Sequence, residues 1–154
     1  MPMFDAYLKY CDALDFTSQG VGTLIGTNEI DFEETVLPDG VTTLDYPDKG
    51  SGSPLVVRFM CTTSFTSANS TATVAFALCF DTTTLAGGTS SGTIVVQTAP
   101  ILVTALTAGA YIPELKIPDQ HARFSNVNFV VAVQTITAGK ITAYIDVVTG
   151  MRHR

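Results

Sequence analysis

The sequence predicts an all-β protein, an antiparallel sandwich or barrel of about eight strands. Several stretches alternate between apolar and polar residues with a period of two, which is typical of half-buried strands. Threonine is the commonest residue type, and Thr favours strands over helices. The chain also has 12 Gly and 7 Pro and almost no helical periodicity, which indicates short strands joined by turns.

Length and composition indicate one folded domain. The 154 residues suffice for a substantial core. Apolar residues make up 46% of the chain and charged residues only 14%, which argues against disorder. We therefore expect a single domain over residues 1–154, with an N-terminal arm over residues 1–16 and a long loop insert over residues 36–53.

The arm mixes aromatic with acidic side chains, and its pattern fits either a short helix or an extended segment. Exposed aromatic residues at a chain end often dock onto a neighbouring molecule, although they can equally pack on their own domain. The candidate residues for contact with a capsid or with another copy, one of them in the long loop, are Phe4, Tyr7, Tyr10, Phe16 and Tyr46.

The middle of the chain supplies most of the predicted strands. The loop over residues 36–53 contains turn residues such as Pro38-Asp39-Gly40, and a connection of this length usually has a functional role or contacts a partner. Pro113 places one strand at an edge or a bend. The strands predicted here are residues 29–32, 54–62, 71–80, 93–98, 101–105 and 111–117.

The strongest alternation lies near the C-terminus, over residues 124–148. A first strand has one apolar side formed by Val127, Phe129, Val131 and Val133. A second has one formed by Ile141, Ala143, Ile145 and Val147. Gly139 can adopt the positive φ of a tight turn, so we place the turn at Thr137–Lys140. We expect these two strands to pair as the central hairpin of one sheet.

The sequence has none of the common motifs of catalysis, phosphate binding or zinc binding. Its two histidines, His121 and His153, are not accompanied by a recognisable nucleophile. Glu29, Asp31 and Glu33 would share one face of a strand. A solvated acidic face is favoured there over a Ca²⁺ site or a pair of catalytic carboxylates. We predict a protein that is not an enzyme and has no cofactor.

Charge, cysteines and hydropathy limit the partners. Residues 1–53 have ten acidic and two basic side chains, and residues 54–154 have four acidic and six basic ones, so no basic face for nucleic acid is expected. Cys11, Cys61 and Cys79 are far apart and odd in number, which favours buried thiols over a disulfide and suits a reducing cytoplasm.

There is no recognisable signal peptide. Residues 82–113 are uncharged but rich in Gly and Thr, so we expect no membrane span.

Short motifs along nearly the whole chain carry a resemblance, and their order is the evidence. They are Phe4-Asp5-Ala6, Tyr10-Cys11-Asp12-Ala13-Leu14, Asn28-Glu29-Ile30-Asp31-Phe32, Pro54–Val57, Ala75–Leu78, Leu106–Gly109, Phe129–Val131 and Gly139–Tyr144. In this order they resemble the capsid cement, or head decoration, proteins of tailed bacteriophages, of the type found in Bordetella phage. The insert from Val36 to Ser53 is longer than that family's pattern.

The resemblance implies a jelly-roll-like β-sandwich that oligomerises as a dimer or trimer. It would bind the major capsid protein on the outer surface of an icosahedral head, brace the capsomers, and be made in the host cytoplasm. It implies no catalytic residues. The alternatives are a carbohydrate- or receptor-binding β-sandwich of a phage tail or adhesin, and a minor capsid or head-completion protein.

Overall fold

A computed structural model of the chain describes residues 9–32, 55–83, 92–118 and 122–147. In this part of the chain the structure is nearly all β, with one turn of 3₁₀ helix at Val103–Ala105. The strands are β1 (Lys9–Asp15), β2 (Gly22–Ile25), β3 (Ile30–Asp31), β4 (Leu55–Ser67), β5 (Thr73–Asp81), β6 (Thr93–Gln97), β7 (Ile101–Leu102), β8 (Leu115–Lys116), β9 (Phe124–Ala132) and β10 (Ile136–Val147).

The strands form two antiparallel sheets. The four-stranded sheet has the order β1-β10-β4-β8, and the six-stranded sheet has the order β2-β9-β5-β6, with β3 also on β9 and β7 also on β5. If β2 with β3 and β6 with β7 are each counted as one interrupted strand, the orders become 1-8-3-6 and 2-7-4-5. This is the connectivity of a jelly roll, so the predicted fold class is confirmed.

Aromatic side chains from both sheets fill the space between them. Phe59 on β4 and Phe76 on β5 have ring centroids 4.9 Å apart, and Phe76 meets Phe129 of β9 edge to face at 5.6 Å. Phe16, just after β1, lies 5.3 Å from Phe129 and 4.9 Å from Phe65. Aromatic pairs in these geometries stabilise a core by about 0.5–1.5 kcal/mol beyond the burial of their area.

The predicted C-terminal hairpin is wrong in its pairing. β9 pairs with β2, β3 and β5 in the six-stranded sheet, whereas β10 pairs with β1 and β4 in the four-stranded sheet. The connection from residue 133 to residue 135 therefore passes from one sheet to the other. Alternation specifies only which face of a strand is buried, and strands that face each other across a core have the same alternation as strands that pair side by side.

The predicted turn around Gly139 is also wrong. Gly139 lies within β10, at φ +147, where the register against β4 shifts. A Cβ atom on this residue would lie 2.6 Å from Cγ of Phe65. Glycine is therefore required because the strand bulges against an aromatic ring, and not because the chain reverses direction there.

Of the predicted arm over residues 1–16, the structure describes residues 9–16, and of the two alternatives, a short helix or an extended segment, it shows the extended one. Residues Lys9–Asp15 form β1, which pairs with β10 at the edge of the four-stranded sheet. Ala13 has φ +46, and the register shifts twice along this pairing, so β1 is an irregular edge strand. Residues 1–8 and the whole of the predicted insert over residues 36–53 lie outside the described residues.

Several other strand bounds differ from the prediction. β4 continues to Ser67, and the segments predicted at 101–105 and 111–117 contain only the short strands β7 and β8. Val103–Ala105 forms a 3₁₀ turn instead of continuing β7, with Leu106 N–H donating to the carbonyl of Val103 at 3.0 Å. Short apolar stretches of this kind give too little periodicity to separate a strand from a turn.

Candidate protein-interaction surface

The structure describes two of the five predicted contact residues and places both in the core. Tyr10 and Phe16 each have 0% of their surface exposed, so neither side chain is available to a partner. Both are apolar enough to be core residues. They were predicted to be exposed because acidic residues lie close to them in the sequence. Phe4, Tyr7 and Tyr46 lie outside the described residues, and their role in contact stays a prediction.

Tyr10 joins the two sheets through its hydroxyl group. The side chain extends from β1, and its hydroxyl lies 2.5 Å from the hydroxyl of Ser125 on β9. Burial raises the pKa of Tyr10 above the ordinary value, which the hydrogen bond to Ser125 opposes only in part. The Tyr10 hydroxyl is therefore protonated and structural.

The three thiols are free and buried, as the sequence predicted. Burial raises the pKa of Cys11 to about 12 and that of Cys79 to about 11, and it raises the pKa of Cys61 as well. Because the thiolate is the nucleophile and the metal ligand, these groups are poorly suited to either role. Within the described residues, no group of three or more His, Cys, Asp or Glu side chains could hold a metal ion.

The predicted acidic face is only partly described, and one of its members is paired. Oδ1 and Oδ2 of Asp31 accept hydrogen bonds from Nε and Nη2 of Arg123, at 2.8 and 2.7 Å. The guanidinium also lies 4.8 Å from the centroid of the Phe124 ring. Glu33 lies outside the described residues. Asp31 therefore contributes to a bidentate ion pair on the surface, which fixes β3 to the start of β9.

The outward face of the four-stranded sheet is charged. Arg58 on β4 lies between Asp146 of β10, with Nε 2.9 Å from Oδ2, and Glu114, with Nη2 3.6 Å from Oε2. Lys9 and Asp12 of β1 form a further ion pair at 3.1 Å. These pairs are partly exposed to solvent, so each is expected to contribute no more than about 1 kcal/mol to stability.

One end of the sandwich, in contrast, is largely uncharged. It is formed by residues 16–21 between β1 and β2, 68–72 between β4 and β5, 103–109 of the connection from β7 to β8, and 133–135 between β9 and β10. Glu114 lies later in the third of these connections, and the carboxylate of Asp15 accepts hydrogen bonds from Thr17 at the border of the first. The four ranges themselves are composed of uncharged residues. We refer to them, with the adjoining Leu102, as the charge-free end.

Hydrogen bonds join the four connections to one another. Ile136 N–H donates to the carbonyl of Gln19 at 2.9 Å, and Asn69 N–H donates to Oε1 of Gln134 at 3.1 Å. Val103 N–H donates to the carbonyl of Ala72 at 3.0 Å. The charge-free end is therefore a continuous surface held by its own backbone.

Exposed apolar side chains lie on this end. Val133 is 70% exposed, Val21 63% and Leu102 50%. The register places them around one rung of the six-stranded sheet, because Leu102 pairs with Thr73, Thr73 pairs with Ala132, and Gly22 pairs with Val131. An uncharged surface with several exposed apolar side chains is typical of a protein-interaction site.

The edge strand β6 is a second exposed apolar feature. It pairs with β5 on one side, and among the described residues no strand pairs with its other side. Ile94 and Val95 are each 46% exposed. The register shifts between Val96 and Ile94, which makes a bulge at Val95. Bulges are one of the devices by which proteins protect an open sheet edge from pairing.

Sequence reasoning did not identify the charge-free end. The signal was present as long uncharged stretches, of which residues 82–113 are one. However, the end is assembled from connections that are distant in the sequence, so only the jelly-roll connectivity brings them together.

The comparison with protein families adds an independent finding. The Bbp16 family model matches residues 17–145, from just after β1 to within β10. The chain belongs to the Bbp16 family. Bbp16 is a Bordetella phage protein family, so a phage structural protein is indicated, and the phage part of the predicted resemblance is confirmed. None of the curated proteins matches the chain.

No helix in the described ranges is both long enough and apolar enough to cross a membrane.

Proposed function

We propose that this member of the Bbp16 family is a capsid cement protein. It would bind the outer surface of an icosahedral phage head and stabilise the contacts between capsomers. The family match carries the proposal, because it covers residues 17–145 and relates the chain to phage proteins. The ordered motifs that resemble cement proteins support the finer assignment.

The surface chemistry of the described residues is compatible with such a role. A cement protein acts by protein–protein contact in many copies, and weak contacts add up when the copies are themselves linked. The charge-free end offers an exposed apolar surface for contact with another protein. The thiols are buried and their pKa values are raised, which fits a structural role and not a reactive one.

In this proposal the partners are the major capsid protein and other copies of this chain, as a homodimer or homotrimer. The location is the outer surface of the virion, after synthesis in the host cytoplasm. No nucleic acid, membrane, cofactor or enzymatic activity is part of the proposal. The net charge of −6 supports the exclusion of nucleic acid, because binding to phosphates needs a basic face.

The test is co-sedimentation of the purified protein with heads of the cognate phage from which this protein has been stripped. We expect saturation at a copy number comparable to that of the major capsid protein. Heads that still carry the protein are the matched control and should take up none, because their sites are filled. Saturation at a handful of copies would instead indicate a connector or minor capsid protein, and no binding would contradict the proposal.

The salt dependence of that binding tests a second point. Since the N-terminal third of the chain is acidic, we infer that it faces a basic region of the capsid. Binding to heads should then weaken as the salt concentration rises, because salt screens exposed charges. Equal binding at low and high salt would contradict this electrostatic contribution without contradicting the cement role.

A glycan-binding module is the second candidate, and Tyr111 is the observation that favours it. Its side chain is 85% exposed, and among the described residues it is the only aromatic side chain in the group of exposed large apolar residues. A sugar ring could stack on it, but a glycan site usually needs several convergent groups. Binding on a glycan array that is lost in Tyr111→Ala would favour this candidate over the cement role.

A further inference from the structure

We propose that β1 is an exchangeable strand, which can leave its own chain and fill the same groove in a second copy of this chain. The groove is the edge of β10 together with the part of the six-stranded sheet that β1 covers. The occupant of this groove is on view in the structure, because β1 of the same chain fills it. The proposal deepens the proposed function and rests on it for the presence of neighbouring copies.

A single connection joins β1 to the other described strands. β1 is the first of them, and residues 16–21 lead from it to β2. β1 lies at the edge of the four-stranded sheet, whereas β2 lies at the edge of the six-stranded sheet. Opening this one connection is therefore enough to separate β1 from the strands that follow it.

The contacts that hold β1 in its groove are with residues beyond this connection. The Tyr10 hydroxyl bonds to the hydroxyl of Ser125 on β9, and the Tyr10 carbonyl accepts the N–H of Asn28 at 2.9 Å. Cys11 pairs with Ala143 of β10. A second copy presents the same partners in the same positions. Exchange therefore replaces each of these contacts by an identical one, which makes it a low-cost route to association.

Phe16, directly after β1, is a further anchor of the same kind. Its ring is fully buried and lies 5.3 Å from the ring of Phe129 on β9. Its N–H donates to the carbonyl of Gly139 on β10 at 2.9 Å. Both partners are again supplied equally well by a second copy, so the exchanged segment is Lys9–Phe16.

The hinge that follows is a strained turn. Gln19 N–H donates to the carbonyl of Phe16 at 3.0 Å, which closes a four-residue turn with Ser18 in its third position at φ +62. Glycine is favoured in this conformation, because a Cβ atom makes it costly. Opening the turn gives up this one bond and relieves the strain, and it leaves the pairing of Gln19 with Ile136 in place. Short, strained hinges favour the exchange of strands between copies.

The pairing of β1 with β10 is irregular. The register shifts between Lys9 and Cys11 and again between Cys11 and Leu14, and Ala13 in the second interval has φ +46. An interrupted edge strand opens at a lower free-energy cost than a regular central strand. β1 can therefore detach while the other strands stay folded.

Exchange also needs neighbouring copies at a high local concentration. On a phage head, the proposed function places many copies side by side, which raises the effective concentration of each β1 at its neighbour's groove. Exchange would then link these copies through contacts that the single chain already makes.

The test is disulfide trapping between two variants of the full-length chain. Tyr144 of β10 pairs with Lys9 of β1 on one side and with Arg58 of β4 on the other. Paired positions of antiparallel strands are close enough for a disulfide. Lys9→Cys and Tyr144→Cys, one of them enlarged by a tag, are mixed at high concentration, oxidised with diamide and separated on a non-reducing gel. We expect a cross-link between the two variants, because β1 of one chain pairs with β10 of the other.

Arg58→Cys mixed with Tyr144→Cys is the matched control. β4 and β10 remain in one chain during exchange, so a cross-link in this mixture reports only random collisions. The double variant Lys9→Cys/Tyr144→Cys at low concentration should close a disulfide within one chain, which shows that the two positions can react.

Two substitutions at Ser18 should shift the monomer–dimer equilibrium in opposite directions, as measured by sedimentation equilibrium. Ser18→Gly removes the strain from the closed turn, and two hinges act in each dimer, so the dissociation constant should rise by at least about tenfold. Ser18→Pro fixes φ at about −65°, which is incompatible with the closed turn, so the dimer fraction should increase.

Two results would overturn the proposal. One is a cross-link from Lys9→Cys that is no more frequent than that from Arg58→Cys, although the double variant closes its disulfide. The other is a dimer fraction that is the same in Ser18→Gly and Ser18→Pro, and this result decides the matter if the double variant does not close. These measurements contain no phage heads, so their failure is distinct from a failure of the cement role, which co-sedimentation decides.

Discussion

The hydroxyl groups of Tyr10 and Ser125 lie 2.5 Å apart across the core, and both side chains are fully buried. Tyr10 belongs to the edge strand β1 of one sheet, and Ser125 belongs to β9 of the other. Each hydroxyl is thus the hydrogen-bond partner of the other, at a position that is buried from solvent. This bond fixes the edge strand of the four-stranded sheet against the six-stranded sheet.

Tyr10→Phe should lower the free energy of unfolding by about 1–2 kcal/mol, because the buried hydroxyl of Ser125 loses its partner. Urea denaturation followed by circular dichroism measures this. Ser125→Ala is the matched variant, and the double variant should cost less than the two single losses added together, since both remove the same bond. Strict additivity would show that the two hydroxyls do not interact.

Gly139→Ala should be strongly destabilising, by about 3 kcal/mol, because the new methyl group would overlap the Phe65 ring. The φ of +147 adds strain for any residue that has a Cβ atom. Gly20→Ala is the control, because a Cβ atom there meets nothing within 4 Å. Thermal unfolding should show a large fall in Tm for Gly139→Ala and almost none for Gly20→Ala. Equal changes in Tm would contradict the close approach to Phe65.

Val133→Gly should raise the free energy of unfolding by about 1 kcal/mol. Relief of strain at φ +72 is expected to exceed the entropic cost that glycine adds to folding. Val21→Gly is the matched control, because Val21 is also exposed but has no positive φ, so it should be neutral or slightly destabilised. If Val133→Gly is as destabilised as Val21→Gly, the strain at residue 133 is absent.

The buried thiols predict how stability responds to alkali. Their pKa values are raised by burial from 9.0 to about 12 in Cys11 and about 11 in Cys79, so the folded protein holds these protons more tightly than the unfolded chain. The stability from this effect is complete below pH 9 and is lost as the pH rises towards the folded values. Urea denaturation at a series of pH values should show this fall, and Cys11→Ala with Cys79→Ala should reduce it.

The same burial predicts slow reaction with a thiol reagent. At pH 8 an aromatic disulfide reagent should label the three cysteines of the folded protein far more slowly than those of the urea-unfolded chain. Immediate labelling of Cys11 or Cys79 in the folded state would contradict their buried positions.

The lowered pKa of Asp15 predicts the opposite pH dependence, a loss of stability as the pH falls. The Thr17 hydroxyl donates to Oδ1 of Asp15 at 2.6 Å and the Thr17 N–H donates at 2.8 Å, and these bonds lower the pKa of the carboxyl below its ordinary value of 3.8. A lowered pKa contributes stability that is present above the unfolded value and is lost as the pH falls through the folded value. Titration by NMR should show the Asp15 pKa rising towards 3.8 in Thr17→Val. An unchanged pKa would show that the Thr17 hydroxyl does not contribute to the lowering.

Most of the strands could be predicted, because alternation reports burial directly. Val74, Phe76 and Leu78 on β5, and Val127, Phe129 and Val131 on β9, are buried as their positions predicted. The pairing of β9 with β10 could not be predicted, because alternation contains no information on which strand lies beside another. Gly139 gave a plausible turn signal, but its real constraint is a ring from β4 that is far away in the sequence.

The burial of two predicted contact residues also could not be predicted from the sequence. Tyr10 and Phe16 had the composition of a docking segment, with aromatic side chains among acidic ones. Whether an aromatic side chain turns inward depends on the strand opposite, here β9 with Ser125 and Phe129. In the sequence, the segments of the charge-free end are only separate uncharged stretches. They form one surface because the fold brings them together.

By itself the sequence determined the all-β class, the inward faces of the long strands, the buried thiols and the absence of charge over long stretches. Each of these follows from the local order of residues, because burial of apolar surface is non-directional and acts on every segment alike. Only the tertiary structure decided that β9 and β10 lie in different sheets, that Tyr10 reaches Ser125, and that four largely uncharged connections meet at one end. These are relationships between distant segments, and they depend on which strands pair across the jelly roll.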